Sequence, residues 1–312
     1  MIAILTDKFK GTLSGAEVAE IISSFVDGCV YVPMADGGEG TAEALDARLH
    51  GRFYTFIDSD GYEVAFVPSC GEGLPDFPDQ NHLPLRERSS APVGQLVAEA
   101  LEYYPRVYVG IGGTRFADGG IGFAQALQGA KGEIIGLADV QAPLIAAQGI
   151  SALSFLRQKG ADDEDYRYLT ALYRRLKEKY PSADRYGGAG GGIGFAIESI
   201  LGSKVISGAE YVLKRNLKRC LNDSTPDLLI TGEGCVDEQT AAGKVVETVS
   251  RYGAEQGIPV VIFAGTTRGN PPYPHVFRTA DSGVLPSHRQ AAENLRQACM
   301  RAIPLISKLL RN

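Results

Sequence analysis

Both ends of this chain repeat one pattern: a short apolar run, a loop mixing glycine with carboxylates, then a stretch of helical period. Ile2 to Thr6 reads as a buried strand. Ser14-Gly15-Ala16-Glu17 is a capping box, in which the hydroxyl and the carboxylate satisfy free amides at a helix start. Val18, Ile21, Ile22 and Phe25 follow at helical spacing, and Gly28 stands where a glycine would close that helix. Cys29 to Met34 predicts the next strand, Ala35 to Gly40 a turn, and Thr41 to Leu49 a second helix. The pattern returns late, with a strand at Leu228 to Thr231, a loop at Gly232 to Lys244, a helix at Val245 to Tyr252, a strand at Pro259 to Ala264 and a helix at Arg289 to Leu310. Strands that alternate with helices in this way form a parallel sheet, because each parallel connection needs a crossover.

Between the ends lies a region with its own strand (Arg106 to Ile111), its own glycine-rich turn and its own helix (Ile121 to Leu127). A charged segment, Asp162 to Tyr180, carries Leu169, Leu172, Leu176 and Tyr180 at the spacing of a surface helix. Ser207-Gly208-Ala209-Glu210 repeats the capping box and opens a helix running to about Leu221. A chain of 312 residues is long enough for two ordinary domains. The expected organisation is one domain made from residues 1–51 and 206–312, interrupted by a second α/β domain over 52–205.

The balance of 31 Lys plus Arg against 37 Asp plus Glu, net −6, speaks against nucleic acid as a partner. No apolar run reaches the roughly 18 residues of a membrane helix, and the amino terminus lacks the basic start of a signal peptide. Cys29, Cys70, Cys220, Cys235 and Cys299 are odd in number, scattered and never in a C-x-x-C pair, which suits reduced thiols in a cytoplasm. The expected partner is a small molecule, and nothing in the sequence speaks to oligomeric state.

Chemistry concentrates in four loops at strand ends: Asp7-Lys8-Phe9-Lys10-Gly11-Thr12, Ala35-Asp36-Gly37-Gly38-Glu39-Gly40-Thr41, Gly112-Gly113-Thr114-Arg115-Phe116-Ala117-Asp118-Gly119-Gly120, and Thr231-Gly232-Glu233-Gly234-Cys235-Val236-Asp237. Ligands of parallel sheets bind beyond the carboxyl ends of strands. Glycine lets backbone amides approach a phosphate, and carboxylates beside those amides would repel it unless Mg²⁺ bridges them. There is no G-x-x-x-x-G-K-[ST] and no G-x-G-x-x-G, so neither a Walker cradle nor a dinucleotide fingerprint is present. The run from Gly187 to Gly194 precedes an apolar stretch, and it suits either close contact with phosphate or the packing of two backbones. Among the cations near these loops, Lys10 and Lys244 rank ahead of Arg115 and Lys159 because they lie inside glycine loops. His50, His82, His275 and His288 show no metal spacing.

These loops, with Pro33-Met34 before Ala35, Gln158-Lys159-Gly160, Gln239-Thr240 and Gly243-Lys244, occur in the order of the successive motifs of type I glycerate kinases, and the chain resembles that family over nearly its whole length. The resemblance implies a flavodoxin-like parallel-sheet domain with an inserted α/β domain, ATP and Mg²⁺ as cofactors, and glycerate or a related small hydroxy acid as acceptor, phosphorylated at the 2-hydroxyl. On that reading Asp36, Glu39, Lys10, Asp118, Glu233 and Asp237 are catalytic candidates, and Asp36, Glu233 and Asp237 are metal ligands. Gly37, Gly38, Gly190, Gly191, Gly192, Gly232, Gly234 and Lys244 would hold the nucleotide, and Arg115 would face the acceptor carboxylate. The chain departs from the family where Thr114-Arg115-Phe116-Ala117, Ala142 and Val67-Pro68-Ser69 replace its usual polar residues, and it is shorter between Gly132 and Asp139. All of these departures lie in the inserted domain, so altered acceptor choice is one expectation and a catalytically silent paralogue is the alternative.

Overall fold

The computed structural model describes residues 1–9, 11–181, 184–222, 224–236, 244–269, 272–280 and 285–311. Its strands are β1 (Ile2–Thr6), β2 (Cys29–Tyr31), β3 (Arg48–His50), β4 (Phe53–Ile57), β5 (Glu63–Pro68), β6 (Arg106–Gly110), β7 (Glu133–Ala138), β8 (Lys204–Ser207), β9 (Leu228–Val236), β10 (Val260–Thr267) and β11 (Val276–Arg278). The helices are α1 (Gly15–Ser23), α2 (Thr41–Ala44), α3 (Ala91–Leu101), α4 (Ile121–Ala126), α5 (Ala152–Leu156), α6 (Asp163–Lys179), α7 (Ile193–Phe195), α8 (Gly208–Leu221), α9 (Val245–Gln256) and α10 (His288–Leu309). The chain divides into two compact units, Met1–Ala35 with Val212–Asn312, and Asp36–Tyr211.

The first unit is built on a five-stranded sheet in the order β11-β10-β9-β1-β2, parallel throughout. Counted within the unit this is the 2-1-3-4-5 order of flavodoxin-like folds, whose topological switch lies between β1 and β9. Ile2, Ile4, Val18, Ile22, Leu228, Ile230, Val261, Phe263 and Leu295 belong to its core. The capping box at α1 is formed as the sequence predicts: the Ser14 side chain accepts from the Glu17 amide, and Glu17 Oε2 accepts from the Ser14 amide at 2.8 Å. The helix ends earlier than expected, at Ser23, with Ser24 as its C-cap and the Ser24 hydroxyl donating to Ile21 O at 2.6 Å. Gly28 instead turns the chain into β2 at φ 73°.

The second unit carries a six-stranded sheet, β3-β4-β5-β6-β7-β8, antiparallel across β3-β4-β5 and parallel from β5 to β8. One buried cluster, around Phe53, Val97, Val109 and Phe123, includes strand residues of this sheet, and a second, around Leu85, Leu169, Tyr173 and Phe195, lies among the helices and loops of the unit. The borders of the units fall at 35/36 and 211/212, so residues 36–51 and 206–211 lie with the middle of the chain. The reason is pairing: β3 hydrogen-bonds to β4 and β8 to β7. For the same reason the helix expected over Thr41 to Leu49 is a single turn, broken where Asp46 takes φ 54° before β3 begins. Among the described residues no helix is long and apolar enough to cross a membrane.

Candidate active site

In the second unit the segment Asp36-Gly37-Gly38 lies across the carboxyl ends of β6 and β7. The Gly112 amide donates to Gly37 O at 3.1 Å and the Ile111 amide to Leu137 O at 2.9 Å. The approach is close enough to demand glycine: a Cβ on Gly37 would stand 2.3 Å from Leu137 O, and one on Gly112 would stand 2.6 Å from the Gly38 Cα. Asp36 Oδ1 accepts from the Gly38 amide at 3.1 Å, which fixes the loop's first bend. Glu72 steadies its far end, with Oε2 accepting from the Gly40 amide at 2.7 Å. Glu39, between these anchors, is exposed.

The same strand ends carry further charge. The Asp139 carboxylate, one residue past β7, lies beside Gly112, within 2.9 Å of where a Cβ would stand. Lys159 reaches the loop after β6, where its Nζ donates to Thr114 O and, at 2.7 Å, to Thr114 Oγ1. Burial pushes the Lys159 ammonium down to about 8, with Asp139 opposing that shift and Arg88 adding to it. The Arg88 guanidinium is tied to the carbonyls of Leu83, Arg115 and Asn81.

Several residues singled out from the sequence have structural work. Asp118 Oδ2 accepts from the Ser90 amide, the Ser90 hydroxyl and the Gly122 amide at 2.9, 2.8 and 3.1 Å, and Oδ1 accepts from the Gly120 amide at 3.0 Å. Burial raises its carboxyl, and the donors around it act the other way. Its position is that of a post holding α3 and the start of α4 together. Phe116 is 4% exposed and sits in the core, whereas Arg115 is exposed. Gly190, Gly191 and Gly192 are buried at φ 62°, 65° and 103°. Their Cβ positions fall 2.8, 2.2 and 2.3 Å from Ile111 O, Phe116 O and the Gly119 Cα. Packing of two backbones therefore accounts for these glycines without a phosphate.

In the first unit, Asp7 follows β1 at the switch point and Glu233 lies within the adjacent β9, since Thr6 pairs with Gly232. Asp7 Oδ1 accepts from the Lys8 amide at 2.6 Å. The sequence places Gly232, Glu233 and Gly234 in a loop, but β9 runs on through Val236, paired with β10 at Ala264↔Glu233 and Thr266↔Cys235. Glycine is needed at 232 because a Cβ there would stand 2.4 Å from Phe263 O and 3.0 Å from the Phe9 ring. Lys244 is the N-cap residue of α9. Lys10, Asp237, Gln239, Thr240 and Gly243 lie outside the described residues.

Among the described residues no group of three or more His, Cys, Asp and Glu is placed to hold a metal ion. Mg²⁺ needs only one or two protein carboxylates, the rest of its shell coming from phosphate and water, so Asp36 and Glu233 each fit it as single ligands.

The sequence lacks any single decisive fingerprint, yet a family model described as the glycerate kinase family matches residues 2–132 and 128–312. A glycerate 2-kinase of Escherichia coli K12 is 31% identical, over 92% of this chain and 88% of its own. A glycerate kinase of Neisseria meningitidis serogroup B is 27% identical, over 96% and 95%. A crystal structure from Salmonella typhimurium LT2, assigned as a glycerate kinase 2, superposes with a TM-score of 0.67 at 28% identity, covering 98% of both chains. With its parallel sheets, its glycine and carboxylate loops at their strand ends, and these matches along its whole length, the chain belongs to the glycerate kinase family.

Proposed function

We propose that the protein transfers the terminal phosphoryl group of ATP to the 2-hydroxyl of glycerate, giving 2-phosphoglycerate and ADP. The P–O bond to the ADP leaving group breaks, a P–O bond to the acceptor forms, and the acceptor hydroxyl gives up its proton. The observation that carries this reading is the loop crossing in the second unit. It sets Asp36, Asp139 and Lys159 around backbone that only glycine could bring so close. Phosphoryl transfer needs little more from a protein than such positioned charge.

In this reading Asp36 and Glu39 are the candidates to receive the hydroxyl proton, and either Asp36 or Glu233 is a candidate single ligand for Mg²⁺, which would neutralise phosphate charge when bound. The switch point in the first unit, with Gly232, Gly234 and Lys244, suits the nucleotide. Arg115, exposed at the loop after β6, is assigned no role. The test is ATP consumption coupled to a dye, run over glycerate and related small hydroxy acids, with the product identified by phosphorus NMR. Glycerate-dependent turnover with 2-phosphoglycerate as product supports the proposal. A 3-phosphoglycerate product overturns the choice of hydroxyl, and ATP consumption no faster than without acceptor overturns the activity.

A further inference from the structure

Lys159 follows α5 in a tight turn, with its own amide donating to Phe155 O and Leu156 O at 3.1 Å each. Its side chain crosses to a loop 45 residues earlier and is pinned there by Thr114, itself only 6% exposed. An ammonium has three donors and no acceptor. Two go to neutral oxygens of Thr114, and no carboxylate forms an ion pair with Lys159 among the described residues.

A part-buried cation without a contacting counter-charge is costly in a finished fold, so its retention needs a reason. The backbone beside it supplies one. Gly113 is exposed, and a Cβ there would meet nothing nearer than the Cys70 Cβ at 3.6 Å, so this stretch of loop is open where Gly37 and Gly112 are crowded. The charged groups that act on Lys159 are Asp139, past the end of β7, and Arg88, which is engaged with three carbonyls. Asp139 offsets part of the charge without capping it, and Arg88 reinforces the positive field.

We propose that Lys159, positioned by Thr114, binds an anionic oxygen of a small-molecule ligand at the Gly112-Gly113-Thr114 loop. The ligand group is a carboxylate or a phosphate, and this deepens the kinase reading of the same site, on which the choice of glycerate as probe rests. A point charge with one remaining donor suits a single oxygen, whereas a bidentate grip would call for arginine. The departures that put Arg115 and Phe116 after Thr114 leave this contact intact, because it uses the Thr114 backbone and hydroxyl.

The experiment compares wild type with Lys159→Met, Lys159→Arg and Thr114→Val, by steady-state kinetics and by calorimetric titration with glycerate, ATP and inorganic phosphate separately. Lys159→Met is expected to weaken glycerate binding and raise its KM at least about tenfold, with the KM for ATP changed less than about twofold. Lys159→Arg should recover part of the loss and Thr114→Val should show a smaller one. Wild-type glycerate affinity should fall as pH rises through about 8, and that inflection should vanish in Lys159→Met. A loss confined to ATP and inorganic phosphate identifies the group as phosphate and supports the proposal with that source. If folded Lys159→Met and Lys159→Arg both bind all three probes as wild type does, the proposal is overturned. Titration needs no turnover, so a wild type that binds glycerate through Lys159 without phosphorylating it overturns the kinase reading alone.

Discussion

Gly113 and the run from Gly187 to Gly194 look alike as sequence, yet they are glycine for different reasons. In the run, Gly191 and Gly192 combine positive φ with backbone on the side where a side chain would project. At Gly113 the φ of 70° is also positive, but the space is open. A dense glycine run is thus the mark of two backbones pressed together, and the sparser loop is the one with Lys159, Thr114 and Asp139 around it. Glycine content alone does not locate a ligand. Charged side chains brought beside open backbone do.

The sharpest way to break this contrast is Gly191→Ala. A left-handed conformation costs roughly 1–2 kcal/mol and overpacking about 1–3 kcal/mol more, and Phe116 O is backbone that cannot step aside. Urea denaturation should show a loss of about 2–5 kcal/mol or no cooperative transition; wild-type stability would mean that the run is not packed as described. Next comes Asp118→Asn, which puts an amide group where several donors converge. It should cost about 1–3 kcal/mol by the same measurement while KM values move little, and a large KM change at unaltered stability would return Asp118 to the acceptor site. Gly113→Ala carries only the strain of positive φ, about 1 kcal/mol, and should be folded yet altered in glycerate affinity. Equal losses at positions 113 and 191 would erase the distinction.

The smallest effect lies in the first unit and serves as a control. Glu17 is held down to about 2, first by the Ser14 amide, then by the Ser14 hydroxyl and by His288 Nε2 at 2.8 Å. Because its folded value lies below the ordinary 4.5, its contribution is present above 4.5 and is lost as pH falls toward 2. The side chain is 42% exposed, so the contribution is discounted to less than about 1 kcal/mol. Denaturation of wild type and Glu17→Gln should therefore differ slightly near neutral pH and converge in acid.

How legible each part was follows from the range of the interaction that fixes it. Strand–helix alternation and the capping box at Ser14 are local, and both are present as the residues predict. The helix expected after Thr41 failed because β4, not local propensity, claims residues 48–50. Gly232 read as loop because glycine usually marks one, whereas here it makes room for Phe9 against a continuing strand. Lys159 ranked low because its partner lies 45 residues away, and Glu72 was missed altogether because nothing near it in sequence points to the Gly40 amide 32 residues earlier. The one available signal for Lys159 was its place in Gln158-Lys159-Gly160, a cation next to glycine outside any helix.

The interrupted topology of the first unit also sets an order of events during synthesis. Leu5 in β1 bonds to Thr231 in β9 across a separation of 226 residues, while the second unit is one unbroken stretch from Asp36 to Tyr211. At roughly 5–20 residues per second, β1 waits about 10–45 s for its partner to emerge. During that interval Ile2, Ile4 and Leu5, all fully buried at the end, can pair with β2 but lack β9 on their other side, so β1 is made well before the strand that completes its cover.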